Sequence, residues 1–291
     1  GDDTKEKDVV SMGEELNNVL KHIVEISSEN NLLTRKLWLE KIPAEIFVDN
    51  LVTKYNYQVE PFILNPIIGE LDDPNNQRQD LVTLNLTLEG NNSIYGSSGS
   101  GKEMFLMSLI YSCMSSYKPE EVNFYIMDFG SETLNMFANA PHVGDVAGVN
   151  DVEKVNNLFK VIYTEMEKRK TIFSKFGGSY NSYVKHSGKT LPNIVVVINN
   201  FDAFVENYDA LYESLNQIIR DSFKYGIYFV IASTSINGVR SKTRQNIAQH
   251  YVLQQNDDSE YSSVLGNCRG KIPQKIKGRG LFKKGKILEF Q

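Results

Sequence analysis

The chain has 291 residues, of which 41% are hydrophobic and 23% charged, which is enough apolar material to bury the core of one large domain. Twenty glycines and eight prolines are too few for a collagen-like, proline-rich or linker-like chain, and a net charge of −5 with this apolar content excludes disorder as the main state.

At the N-terminus, GDDTKEKD has neither the basic stretch nor the apolar stretch of a secretory signal. Gly1 ahead of an acidic run reads as the start of a piece cut from a longer protein. Apolar residues then fall at Met12, Leu16, Val19, Leu20, Ile23 and Val24, a spacing that predicts an amphipathic helix. A polar break (SSENN) leads into LLTRKLWLEKIPAEIFVDNLV, where the single tryptophan, Trp38, precedes a proline-containing turn. Residues 1–50 are therefore read as an entry segment, helix plus strap, and 51–291 as the main domain. An irregular stretch, LDDPNNQRQD, is followed at 82–88 by Val82, Leu84, Leu86 and Leu88 alternating with Thr83, Asn85 and Thr87, which predicts a strand with one wet face.

Beyond residue 90 the pattern changes. A short strand (SIY) precedes a glycine-rich loop and a helix over 102–116, and VNFYIM (122–127), IVVVI (194–198) and YFVIAS (228–233) are nearly continuous apolar runs. Such runs are expected of parallel strands covered on both faces. Helices are predicted between them at 151–176, on Val152, Val155, Leu158, Phe159, Ile162, Met166 and Phe173, and at about 209–225, on Leu211, Leu215, Ile218, Ile219 and Phe223. The alternation predicts an α/β fold with a mostly parallel sheet and helices on both faces. Two short β runs, HYVLQ and KILEF, close it. No window approaches 18 uninterrupted apolar residues. Cys113, Cys268 and the scattered His22, His142, His186 and His250 have no metal-binding spacing, which suggests a reducing, cytosolic setting. Residues 269–286 carry eight basic side chains and no acid, read either as a solvated hairpin or as a surface for an anionic partner.

The strongest motif is GSSGSGKE: Gly96, Ser97, Ser98, Gly99, Ser100, Gly101, Lys102 and Glu103. Placed between a strand and a helix, it has the context of a phosphate-binding loop, whose glycines turn backbone N–H groups onto phosphates while Lys102 neutralises β and γ oxygens. The position after the lysine, where a Ser or Thr would ligate Mg²⁺, is Glu103. A carboxylate there faces phosphate as well as metal, a repulsion of about 4 kcal/mol at ~4 Å and an effective dielectric of ~20. Glu103 is expected to weaken binding of Mg²⁺·ATP or to turn away.

The strand LPNIVVVINN should end on an acid for Mg²⁺ and another to polarise water, but those places hold Asn199 and Asn200. Asp202 follows three residues on, a weak substitute. Asp128, ending IMDFG, is the better candidate metal ligand, or else a turn cap. IMDFG mimics a kinase metal motif, but no HRD catalytic loop accompanies it.

With these residues in view, the P-loop helix, IMDFGSETLNMFANAPHVGDV, EMEKRKTIF, LPNIVVVINN, YGIYFVIASTS and the closing GRGLF resemble the FtsK/SpoIIIE group of RecA-like motor ATPases. KLWLEKIP followed by IIGELDDPNNQRQDLVTLNL resembles the linker and opening strand between tandem modules of the EssC/EccC coupling ATPases of type VII secretion. The resemblance runs from about residue 32 onward and is greatest to the third, C-terminal module. It implies a RecA-like P-loop fold with residues 1–50 as an inter-module linker, in a cytosolic part of a membrane-anchored protein. It further implies hexameric assembly, an adjacent ATPase module as partner, and recognition of small helical WXG-type export substrates through a C-terminal signal. ATP is the implied cofactor, held weakly or structurally, with Mg²⁺ disfavoured by Glu103, Asn199 and Asn200. Thr234 falls where motor relatives place a γ-phosphate sensor. Arg169, in EMEKRK, is a candidate to reach a neighbour's nucleotide, or a salt-bridged helix residue. Arg279, in GRGLF, is a candidate phosphate contact, or a strand brace.

The sequence thus favours a coupling module that turns over little or no ATP. A working motor rebuilt on Asp128 and Glu103 is the alternative. A DNA translocase is disfavoured by the net charge of −5, because nonspecific DNA affinity needs a broad basic surface.

Overall fold

A computed structural model describes residues 43–291; the helix expected at 12–24 and Trp38 lie outside the described residues. Among the described residues ten strands form one sheet: β1 (Ile67–Asp73), β2 (Arg78–Thr83), β3 (Asn92–Tyr95), β4 (Val122–Asp128), β5 (Val143–Gly148), β6 (Asn193–Asn199), β7 (Ile227–Ser233), β8 (Gln249–Leu253), β9 (Gly280–Lys284) and β10 (Lys286–Phe290). Their order is β2-β1-β10-β9-β8-β3-β7-β6-β4-β5. The six strands from β8 to β5 run parallel, and β9, β10, β1 and β2 extend the sheet antiparallel. The helices are α1 (Pro43–Tyr55), α2 (Lys102–Ser116), α3 (Val152–Phe173), α4 (Tyr180–Ser187), α5 (Phe201–Asn207), α6 (Asp209–Ile219) and α7 (Ser259–Leu265), with single helical turns at Leu86–Glu89 and Ser241–Arg244. This is the mostly parallel, helix-covered sheet expected of a RecA-like P-loop domain.

The apolar runs feed two cores because successive strand side chains point to opposite faces. Val195 and Val197 of β6 join Leu106, Leu109 and Ile110 of α2 on one face. Ile194, Val196 and Ile198 join Val155, Phe159 and Ile162 of α3 and Leu215 and Ile218 of α6 on the other.

Three expectations are corrected. The strand foreseen at 82–88 ends at Thr83, and Leu86–Glu89 turns as a helix. The chain must there leave the edge hairpin for β3 in the sheet's middle. The alternation fails with it: Leu88 is 64% exposed, whereas Thr87, assigned to the wet face, is buried and accepts a hydrogen bond from the Leu64 N–H at 2.8 Å. The helix foreseen over 209–225 stops at Ile219; Ser222–Tyr225 is a 3-10 turn capped by Gly226 in a left-handed conformation, which leaves Phe223 partly exposed. Helix α3 appears as expected, except that Val152, at its first turn, faces out.

Residue 50, where the entry segment and main domain were divided, falls within α1. Val48 and Leu51 of that helix are buried against Ile67 of β1, with Phe47, Val52, Tyr55 and Tyr111 around them. Beginning the chain at residue 51 removes Phe47 and Val48 from this cluster. The expected result is a loss of about 2 kcal/mol, seen as a melting temperature lower by roughly 5 °C in calorimetry; an unchanged melting point would show that α1 adds nothing to the domain.

Candidate functional site

The C-terminal ends of parallel strands gather the chemistry of such a sheet, and here they bring together most of the residues singled out from sequence. After Tyr95, the loop Gly96–Gly101 is pinned to its neighbours: the Gly96 N–H donates to the Ser233 carbonyl (3.1 Å) and the Ser97 N–H to the Gln254 carbonyl (2.7 Å). Gly99 and Gly101 take φ of 75° and 107°, a region that side chains disfavour. Gly101 is also needed for space, because a Cβ there would lie 2.7 Å from the backbone nitrogen of Gly278, whose N–H donates to the Ser100 carbonyl.

The Phe105 N–H is the first of α2 to bond back, to the Gly101 carbonyl, so the N–H groups of Lys102, Glu103 and Met104 are the free donors of the helix start. Among the described residues the buried Ser100 hydroxyl has no partner. Free N–H groups, an unpartnered hydroxyl and a lysine at a helix N-terminus fit an anionic phosphate chain. Lys102 Nζ donates to the carbonyls of Gly96 and, at 3.1 Å, Ser97. Burial lowers its pKa, partly opposed by the negative charges of Asp202 and Glu103.

Glu103 turns away from the loop toward the segment after β4. Its carboxylate accepts from the Ser131 hydroxyl (2.5 Å) and N–H (3.3 Å), the Thr133 hydroxyl (3.2 Å) and the Asn199 amide (3.3 Å). Burial raises its pKa, but these donors outweigh it and the net shift is downward, keeping the group ionised. Asp128 and Asn199 stand side by side because β4 and β6 pair them in register. Asp128 is 1% exposed, and its oxygens accept from the N–H groups of Gly130 (3.0 Å) and Leu134 (3.0 Å) and from Asn199 Nδ2 (2.9 Å). Of the two roles read for Asp128, the geometry is that of a turn cap.

The Asn199 NH₂ therefore lies between Glu103 Oε1 and Asp128 Oδ1, where a divalent ion would have to bridge them. A metal does not fit these side chains as arranged. Among the described residues no group of three or more His, Cys, Asp or Glu is placed to hold one. Asn200, in a left-handed conformation (φ 57°) ahead of α5, donates to the Phe129 carbonyl at 3.0 Å and offers no base. Asp202, in the first turn of α5, accepts from the Ser233 hydroxyl (3.0 Å) and from the Thr234 N–H (3.1 Å) and hydroxyl (3.3 Å). Thr234 is thus bound to an acid in the site.

Two candidates lie elsewhere. Arg169 is 1% exposed, and its guanidinium donates to Glu165 (3.0 Å), to the Tyr225 carbonyl (2.9 Å) and to the Pro192 carbonyl (2.6 Å). Those carbonyls precede β7 and β6, at the end of the sheet opposite the loop, an arrangement that matches the other reading of Arg169, a salt-bridged helix residue. Arg279 bonds Gln291 (2.8 Å) and pairs with Asp72 (3.1 Å) and Glu289 (3.5 Å), bracing β1 and β10 rather than facing phosphate. Two other cations of the basic segment also pair with acids, Lys286 with Asp73 and Lys284 with Glu89. Ser131, Thr133 and Ser233, which hold the site's acids, were not singled out from sequence. The available signal was their position just after or at the end of parallel strands.

The sequence model of the FtsK/SpoIIIE family matches residues 57–280. The ESX secretion system protein EccC of Geobacillus thermodenitrificans is 31% identical over 274 residues, covering 93% of this chain and 18% of that protein. Among solved structures, EssC (ATPases 2 and 3) from Geobacillus thermodenitrificans superposes with a TM-score of 0.74 at 31% identity, covering 81% of this chain and 45% of that one. The Thermomonospora curvata EccC (ATPases 2 and 3) in complex with a signal sequence peptide gives 0.72 at 27% identity, covering 81% and 44%. The chain spans about a fifth of the length of the curated relatives it matches. Among the described residues no helix is long and apolar enough to cross a membrane.

Proposed function

The chain belongs to the FtsK/SpoIIIE family, a nucleotide-binding family, and from this premise we propose that it is a coupling module of a type VII secretion ATPase that holds nucleotide without efficient turnover. The observation that carries the reading is the Asn199 amide, which donates to both Glu103 and Asp128 and so takes the space between the two carboxylates. The phosphate loop keeps its lysine, its left-handed glycines and the free donors at the start of α2, so the parts that bind are present. The acids that would hold Mg²⁺ and polarise water are replaced by Asn199 and Asn200. Bound nucleotide would then act as a structural or regulatory ligand.

Within the longer protein, the module would work beside an adjacent ATPase module, in a hexamer on the cytoplasmic side of the membrane. There it would recognise or couple export of small helical substrates by a C-terminal signal. Support comes from the likeness to ATPase 2 and 3 domains of EssC and EccC, one of them in complex with a signal sequence peptide.

The test is a calorimetric titration with ATP, with and without Mg²⁺. Binding is expected in both conditions, and Lys102→Ala is expected to weaken it at least about tenfold, since a charge-assisted contact is worth roughly 1.5–3 kcal/mol. Binding that needs Mg²⁺, or steady phosphate release abolished by Lys102→Ala, would favour a working motor instead.

A further inference from the structure

The acids around the phosphate loop bear on which nucleotide it accepts, given the reading above that it accepts one. Glu103 follows the loop lysine directly, on the side where a metal would bridge β and γ oxygens. Asp128 lies behind it, linked through the Asn199 amide. Asp202 flanks the opposite side, holding Thr234 beyond the end of β7. All three carboxylates are satisfied by neutral donors: hydroxyls, backbone N–H groups and one amide. Such donors stabilise an anion without cancelling its field. Lys102, whose Nζ donates to the Gly96 and Ser97 carbonyls, feels the charges of Asp202 and Glu103. Arg279, the other candidate cation, spends its charge on Asp72 and Glu289.

We propose that the site selects a nucleoside diphosphate over the triphosphate, because Glu103 and Asp202 flank Lys102 and a γ-phosphate would have to share that cation with both carboxylates. The first two phosphates meet the loop N–H groups, the start of α2 and Lys102. A third brings a further negative charge to the end where the protein already holds its own. In an active site of this fold the bridging metal absorbs that repulsion, whereas here the Asn199 amide takes the space between Glu103 and Asp128.

The test is calorimetry on the 291-residue chain in EDTA, with ADP and ATP as the probes. ADP is expected to bind at least about tenfold more tightly, equivalent to ~1.4 kcal/mol. Glu103→Gln and Asp202→Asn should each narrow the gap between ADP and ATP about threefold or more. Two variants at separate positions, each checked by its melting curve, guard against the loss of one through misfolding. ATP binding as tight as ADP, or a gap unchanged in both variants, overturns the proposal and leaves the reading of a nucleotide-holding module intact. Failure of both nucleotides to bind, or binding indifferent to Lys102→Ala, overturns that reading and the selectivity with it.

Discussion

Replacing Arg169 by methionine is expected to lower the melting temperature by about 10 °C, from a loss of roughly 4 kcal/mol at about 2–4 °C per kcal/mol for a domain of this size. The magnitude follows from what would be left behind. The guanidinium is fully buried and bonds Glu165, the Tyr225 carbonyl and the Pro192 carbonyl. A buried carbonyl without its donor costs about 1–3 kcal/mol, and Glu165 would lose its ion pair with Arg169. Methionine fills the volume but donates nothing, and lysine offers one point of charge where a planar fork spans two chain segments. Gly226 fits this arrangement, since a Cβ there would come within 3.0 Å of the Arg169 guanidinium. Differential scanning calorimetry decides the matter. An unchanged melting point with altered activity only in an assembled oligomer would return Arg169 to the role of a residue supplied to a neighbour.

Asp128→Ala is expected to cost about 3 kcal/mol, and by the same amount in EDTA as in Mg²⁺. The substitution strands the N–H groups of Gly130 and Leu134 and one donor of Asn199, all at the buried end of β4. Asp128→Asn keeps one acceptor for a backbone N–H and should cost about half as much. Urea denaturation of the three proteins in both buffers measures these values. A penalty that grows when Mg²⁺ is added would show that Asp128 ligates metal after all.

The central sheet was legible because parallel strands covered on both faces write themselves as unbroken apolar runs. Helix α3 was legible because Val155, Leu158, Phe159, Ile162 and Met166 recur at helical spacing. What misled was local context. Val82, Leu84 and Leu86 are all buried, as a strand would have them, yet the backbone turns into a helix between them because it must change layers. Phe223 continues the helical spacing of α6, but the helix ends at Ile219, before the turn that starts β7.

In the site, the phosphate loop and the missing acids could be read residue by residue. The partners of those residues could not. Glu103 was expected to oppose phosphate or turn away, but its anchoring to Ser131 and Thr133, 28 and 30 residues downstream, depends on how α2 crosses the end of β4. Likewise, a salt bridge within the helix was one of the two readings of Arg169, but the carbonyls it also holds, at Pro192 and Tyr225, are generic backbone groups with no sequence signature.

The placement of β10 has a mechanical meaning. β1 joins the sheet through β10, and the Glu70 N–H and carbonyl bond the carbonyl and N–H of Gln291 (2.7 and 2.9 Å). A pull on α1 would load β1 along its own axis, shearing several ladder hydrogen bonds at once instead of peeling them singly. The tight Lys284–Lys286 turn would pass that tension into β9, whose first residue, Gly280, directly follows the Gly278–Arg279 segment resting on the phosphate loop. Tension in β1 would thus reach the phosphate loop along one path, through Gly278 and the Ser100 carbonyl that its N–H bonds.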